Sequence, residues 1–199
     1  MSLDAAILGF LSERPRSGYD LKTRCFDDAA KDFWTADQAQ IYRTLERLQT
    51  AKLVSAARKR QTGRPDRRVY SITESGRRAL SAWLASSLPL PAPRDAFLLQ
   101  VYFGAELSDT QLTERLSERR RLHQERLDNL RKRALEAAQT SGASLRDSAL
   151  RDAAFSGAIA VERAAIDWLD DSLEALSAGT LPPIGKDAEQ RPLFGPTTA

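Results

Sequence analysis

The sequence predicts a mainly α protein in two parts, with one small β-hairpin in the first. Three observations carry that expectation. Apolar residues recur at helical spacing through most of the 199 residues, two short strand-like runs flank a single Gly-Arg-Pro-Asp turn, and a Pro-rich stretch divides the pattern. With 42% hydrophobic and 29% charged residues, the chain can bury one respectable core or two small ones.

Ala5, Ala6, Ile7, Leu8, Phe10 and Leu11 form a nearly all-round apolar first helix that stops before Arg14-Pro15, as a buried helix would. Ser17 heads a second helix: its hydroxyl can cap free N–H groups, and Asp20 complements the helix N-terminus. Thr35-Ala36-Asp37-Gln38 reads as a T-x-x-Q capping box opening a third helix. Its Ile41, Leu45 and Leu48 make a narrow buried stripe, which leaves Gln38, Gln40, Arg43, Thr44 and Arg47 mainly outward and Tyr42 at the boundary. Forked donors, amides and hydroxyls on one helix face suit base edges and phosphates.

Leu53–Ala56 and Arg68–Ile72 read as two strands joined through Gly63-Arg64-Pro65-Asp66, and Thr73-Glu74 starts a fourth helix through Trp83 and Leu84. Leu88-Pro89-Leu90-Pro91-Ala92-Pro93 resists helix and marks the boundary. Beyond it, Asp95 caps a helix through Phe103, and Ser108-Asp109-Thr110-Gln111 opens a long one to about Gln139 with a near-heptad seam of Leu112, Leu116, His123, Leu127, Leu130 and Ala134. After Gly142, Ser144 and Asp147 open a last helix ending near Ala178-Gly179. Its apolar side includes Val161, Trp168 and Leu169. The expected organisation is thus a first domain at 1–87, a hinge at 88–94, a helical domain at 95–179 and an extended or disordered tail at 180–199.

Charge is distributed unevenly between these parts. Residues 1–87 hold 16 Lys/Arg against 10 Asp/Glu, whereas residues 88–199 hold 14 against 17. Lys52 to Arg78 alone carries nine basic residues and only Asp66 and Glu74 in opposition. A basic cluster is often no more than a solvated face, but on a hairpin that follows a capped helix it favours a nucleic-acid contact. The two long helices with apolar seams and little beside them predict pairing with a second copy, through Leu116, Leu127, Leu130, Val161, Trp168 and Leu169.

Several classes are excluded. One cysteine, Cys25, permits no intrachain disulfide framework, and one histidine beside it cannot supply the usual zinc ligand set, so neither metal nor cofactor is expected. No glycine-rich phosphate loop, nucleophile elbow or H-E-x-x-H occurs, and no enzyme is expected. The start Met1-Ser2-Leu3-Asp4 lacks a basic region before an apolar core, and no apolar run approaches the ~20 residues of a membrane span, which predicts a cytoplasmic protein.

Helix, helix, capped helix, basic hairpin, helix is the order of a winged helix-turn-helix. The blocks Ala6-Ile7-Leu8-Gly9-Phe10-Leu11, Ser17-Gly18-Tyr19-Asp20-Leu21, Gln40-Ile41-Tyr42 with Thr44-Leu45, Leu53-Val54, Gly63-Arg64-Pro65, Val69-Tyr70 and Thr73-Glu74 with Gly76 closely resemble the PadR-like family of bacterial transcriptional regulators, over residues 3 to 84. The long helical C-terminal part resembles the larger subfamily, whose helices form the homodimer. The resemblance implies a regulator whose third helix enters the major groove and whose wing lies on neighbouring backbone at a palindromic promoter site. The expected helix contacts are Gln38, Gln40, Tyr42, Arg43, Thr44 and Arg47; those of the wing are Arg58, Lys59, Arg60, Arg64, Arg67 and Arg68. Arg43 stands where many members carry proline. The expected partners are double-stranded DNA, a second copy and a small-molecule effector that relieves repression; a helical scaffold whose winged domain binds protein is the competing class.

Three residues are read two ways. Tyr42 suits either a phosphate contact or the core beside Ile41. Trp34 and Trp168 are candidates to line an effector cavity between domains or subunits, although aromatics at such spacing more often serve the core. His123 and Cys25 are read as packing residues.

Overall fold

The computed structural model describes residues 2–59, 67–139 and 144–179. They form two compact units, Met1–Pro91 and Ala92–Ala199, whose boundary falls in the Pro-rich stretch.

Unit 1 runs α1 (Ser2–Glu13), β1 (Arg16–Ser17), α2, α3 (Gln38–Thr50), β2 (Val54–Lys59), β3 (Arg67–Ile72) and α4 (Glu74–Leu84); α2 opens at Gly18–Asp20 and continues as a π-helical segment, Leu21–Ala29. The three strands form an antiparallel sheet in the order β1-β3-β2. β2 and β3 pair from Val54↔Ile72 to Lys59↔Arg67, so the hairpin is longer than the expected strands. The third strand, β1, escaped the sequence reading because two residues carry no periodicity; it pairs Arg16 with Tyr70 and Ser17 with Val69. Residues 60–66, including Arg60, Arg64 and the expected Gly-Arg-Pro-Asp turn, lie outside the described residues, as do Gly142 and the tail from 180.

The core of unit 1 unites Ile7, Leu8 and Leu11 of α1, Leu21, Cys25 and Phe26 of α2, the Ile41-Leu45-Leu48 stripe of α3, and Val54 and Tyr70 of the sheet. Phe10 meets Phe26 edge to face, centroids 5.6 Å apart. Arg16 is buried beneath α1: its Nε–H donates to the Phe10 carbonyl at 3.2 Å and its Nη2 to Glu13 Oε2 at 2.7 Å. That carbonyl and that carboxylate satisfy a charge the core would otherwise exclude.

Chain reversals are set by backbone hydrogen bonds. At the end of α3, Leu53 N–H bonds to the Leu48 carbonyl and Lys52 N–H to that of Gln49, both at 2.9 Å, with Lys52 left-handed at φ 58°. This double closure is the Schellman arrangement, with lysine where glycine is usual. Thr73 then caps α4, accepting from Gly76 N–H at 3.1 Å, and its hydroxyl faces the Lys52 and Leu53 carbonyls at 2.8 and 3.0 Å. Gly76 is needed here for close approach: a β-carbon on it would stand 2.1 Å from the Leu53 carbonyl oxygen.

Unit 2 contains α5 (Ala96–Tyr102), a 3₁₀ turn at Gly104–Glu106, α6 (Asp109–Ala138) and α7 (Leu145–Ser177). The expected caps are present: Asp95 accepts from Phe97 and Leu98, and Ser108/Gln111 and Ser144/Asp147 are reciprocal capping boxes. The helices α6 and α7 lie antiparallel, with Arg120 paired to Asp170 and, further along, His123 and Arg126 paired to Glu162.

The expected dimer seam needs correction. Leu116, Leu127, Leu130 and Leu169 are each 3% exposed or less, and Leu116 and Leu169 belong to a core shared by α5, α6 and α7 within one chain. α7 supplies the apolar stripe complementary to α6, so those leucines are satisfied internally and leave nothing to present to a second copy. Of the six residues expected to pair subunits, only Val161, 66% exposed, and Trp168, 38% exposed, remain at the surface. No helix among the described residues is long and apolar enough to cross a membrane.

Candidate nucleic-acid interface

The third helix is held by its cap and its stripe. Asp37, not Thr35, is the N-cap: its Oδ1 accepts from Gln40 N–H at 2.7 Å, and Gln40 Oε1 accepts from Asp37 N–H at 3.1 Å. The expected T-x-x-Q box is thus displaced two residues to D-x-x-Q, an equally spaced pair with a charged acceptor, while Ala36 turns into the core. With Ile41, Leu45 and Leu48 buried, Gln38, Gln40, Tyr42, Arg43 and Arg47 face outward.

Thr44 does not join them. It is 5% exposed, because it follows the same inward turn as Ile41 and Leu45, and its expected phosphate contact is corrected to a place in the packed side of α3. Arg47 is outward but engaged: its guanidinium makes a two-pronged ion pair with Asp4 of α1, which raises the arginine's pKa chiefly through that hydrogen bond. Gln40 has committed its carbonyl oxygen to the cap and keeps its NH₂ as a donor.

Wing residues are anchored in a similar way. Arg67 pairs with Asp20 of α2, whose carboxylate also accepts from Ser17 N–H at 3.1 Å and Ser17 Oγ–H at 3.0 Å. One carboxylate therefore fastens the root of β3 to the start of α2. Arg68 donates to Gln49 Oε1 at 2.6 Å and lies 5.4 Å from the Tyr70 ring centroid, which fastens β3 to the end of α3. Arg58 is exposed on β2; the Lys59 backbone ends that strand. These tethers were not legible as such, since the partners lie 19 and 47 residues apart in the chain.

Trp34, 42% exposed, lines a cavity of about 370 Å³ together with Gln40, Arg43, Thr44 and Arg47. This tryptophan thus stands beside the donor-rich helix itself. Trp168 belongs to unit 2, where it meets Phe97 edge to face at 6.3 Å while the Arg119 guanidinium lies 5.0 Å from the same Phe97 ring. His123 is not a bare packing residue: its Nδ1 lies 2.6 Å from Glu162 Oε2, and Arg126 Nε is ion-paired to Glu162 Oε1 at 3.1 Å, so a buried carboxylate is shared by two basic side chains. Cys25 is buried, and the loss of solvent around it pushes its thiol up to about 11. No group of three or more His, Cys, Asp or Glu able to hold a metal occurs among the described residues.

A capped, donor-rich helix beside an anchored basic hairpin defines a winged-helix DNA-binding protein with an added helical unit. Residues 7–82 match the model of the transcriptional regulator PadR-like family, and residues 93–177 match the virulence activator alpha C-terminal model. The chain belongs to the PadR-like family of transcriptional regulators. It is 37% identical to a probable transcriptional regulator of Mycobacterium tuberculosis, Rv1176c, over 88% of this chain and 98% of that one. It is 31% identical to the negative transcriptional regulator PadR of Bacillus subtilis over 64% and 70% of the respective chains. The crystal structure of that B. subtilis protein with operator DNA superposes with a TM-score of 0.77 at 25% identity, covering 88% of this chain and 99% of that one. Its complex with p-coumaric acid gives 0.73 at 26%, covering 89% and 99%. Proteins of this family are DNA-binding regulators and not enzymes, and this chain is one of them.

Proposed function

We propose that the protein is a repressor that occupies a palindromic promoter site in the cytoplasm as a homodimer, with α3 in the major groove and the β2–β3 wing on adjacent backbone. The observation that carries this reading is the outward face of α3, where Gln38, Gln40, Arg43 and Arg47 stand clear of the buried Ile41-Leu45-Leu48 stripe. Arg43 and Gln38 suit base edges, and Tyr42 and Arg58 suit phosphates. The negative regulation ascribed to the B. subtilis relative, and the operator bound in its crystal structure, support the sign and the target.

Pairing is supported by apolar surface that unit 2 leaves uncovered: Leu98, Leu99, Tyr102 and Phe103 on and after α5, and Val161 on α7. A twofold dimer would set its recognition helices roughly 34 Å apart, one turn of duplex. A small aromatic acid is the effector class to test first, because the B. subtilis relative is seen with p-coumaric acid. Release requires the effector to bind the two conformations unequally.

The deciding experiment is selection of bound duplex from a random pool. The expected product is an inverted repeat with half-sites about one turn apart, whose affinity falls by roughly 10³ or more between low and moderate salt for six or more phosphate contacts. A folded dimer that enriches no sequence and shows no salt dependence would overturn the reading in favour of a protein-binding scaffold.

A further inference from the structure

Tyr42 does not rest on α3 alone. Its ring lies directly over Gly18, buried at the start of α2: a β-carbon on Gly18 would stand 2.6 Å from Tyr42 Cε1, 2.7 Å from Cζ and 3.0 Å from Oη. Packed carbon atoms do not approach so closely, so the ring keeps this place only while residue 18 has no side chain. Backbone freedom does not explain the glycine. Gly18 is helical and not at positive φ, and there alanine would be the better helix former.

The floor beneath the ring is stiff. Ser17 and Asp20 close a reciprocal capping box around Gly18, Ser17 is paired to Val69 of β3, and Arg67 is ion-paired to the same Asp20. Tyr42 is nonetheless 38% exposed, so one side is seated and the other is open to a ligand. In a helix-turn-helix the helix before the recognition helix crosses the phosphate backbone, and a phenolic hydroxyl held at the start of α2 stands where a phosphate passes.

We propose that Gly18 is a positioning residue for DNA binding: its missing side chain seats the Tyr42 ring and thereby fixes the phenolic hydroxyl as a donor to a backbone phosphate. The inference rests on α3 being the DNA-binding helix. Because phosphate contacts carry no sequence information, the seat sets affinity and leaves sequence preference to Gln38 and Arg43.

The test measures binding of the full chain to a fluorescein-labelled duplex of the selected sequence and to one of scrambled sequence. Gly18→Ala should weaken both about tenfold, the loss of one charge-assisted hydrogen bond, with the ratio between the duplexes unchanged. Tyr42→Phe should lose the same, and Gly18→Ala added to it should cost nothing more. Gly9→Ala, whose new β-carbon meets nothing within 4 Å, should bind as the parent does. Binding by Gly18→Ala within twofold of the parent, or an undiminished loss in the Tyr42→Phe background, would overturn the proposal. Should Gly18→Ala unfold, the clash account requires that Tyr42→Ala restore the fold, and failure to restore it overturns the account equally. A parent protein that binds neither duplex refutes the reading of α3 instead.

Discussion

Gly76→Ala tests whether the close approach of α4 to the end of α3 holds unit 1 together. The new β-carbon would begin 2.1 Å from the Leu53 carbonyl oxygen and 2.8 Å from Ile72 Cγ1, whereas ordinary contact starts at 3.4 Å, so backbone must retreat by about 1.3 Å. Because the obstacle is a carbonyl in the Schellman turn, no rotamer change relieves it. The retreat pulls Thr73 from two donations, its hydroxyl to the Lys52 carbonyl and its backbone N–H to the Leu53 carbonyl, each worth about 1 kcal/mol. Overpacking adds about 2 kcal/mol, and the better helix propensity of alanine returns about 1 kcal/mol. The net loss is about 3 kcal/mol, or a fall in melting temperature of roughly 12–24 °C for a unit of this size. Thermal denaturation followed by circular dichroism reads it directly, with Gly9→Ala as the open-space control. A Gly76→Ala protein within about 1 kcal/mol of the parent would refute the argument that this contact constrains the fold.

Four further outcomes follow from the same geometry. Lys52→Gly should stabilise unit 1 by about 0.5–1 kcal/mol in urea titration, because residue 52 holds φ 58° and its side chain is exposed; destabilisation would mean the lysine does more than fill the turn. Asp4→Asn frees Arg47 for phosphate, so the slope of log affinity against log salt should steepen by roughly 0.9, and an unchanged slope would show that Arg47 stays off the DNA. Leu130→Ala should cost about 2–5 kcal/mol in stability whereas Val161→Arg should leave each chain folded and abolish dimers in sedimentation; the reverse pattern would return Leu130 to an intersubunit seam. Finally, the folded Cys25 thiol titrates near 11 against 9.0 for a free one, so below pH 9 it has no effect. Between those values the unfolded chain loses its proton first, and stability should fall by about 1.4 kcal/mol per pH unit. Rapid alkylation of the native thiol at pH 8 would contradict this.

Much of the architecture was legible because local physics specifies it. The Ile41-Leu45-Leu48 stripe, the caps at Ser17, Thr73, Ser108 and Ser144, and the break at the prolines each depend on residues within one or two turns of each other. The basic hairpin beside a donor-rich helix was visible for the same reason, and with it the class of ligand. Local rules misled where two caps competed: Thr35 and Asp37 both head an x-x-Gln pattern, and it is Asp37 that closes the box, with Ala36 buried before it.

What lay beyond the linear pattern was the assignment of partners. A heptad of leucines states that a helix needs an apolar neighbour, not whether that neighbour is α7 or a second chain; only the antiparallel closure of α6 on α7 assigns Leu116, Leu127, Leu130 and Leu169 to the interior. Likewise an arginine in a basic run is a free charge until folding brings Asp4 to Arg47 and Asp20 to Arg67. Periodicity is a property of neighbours along the chain and survives in the sequence. Who meets whom across 43 or 47 residues is a property of the packed tertiary structure, where one carboxylate or one missing β-carbon decides which donors remain for DNA.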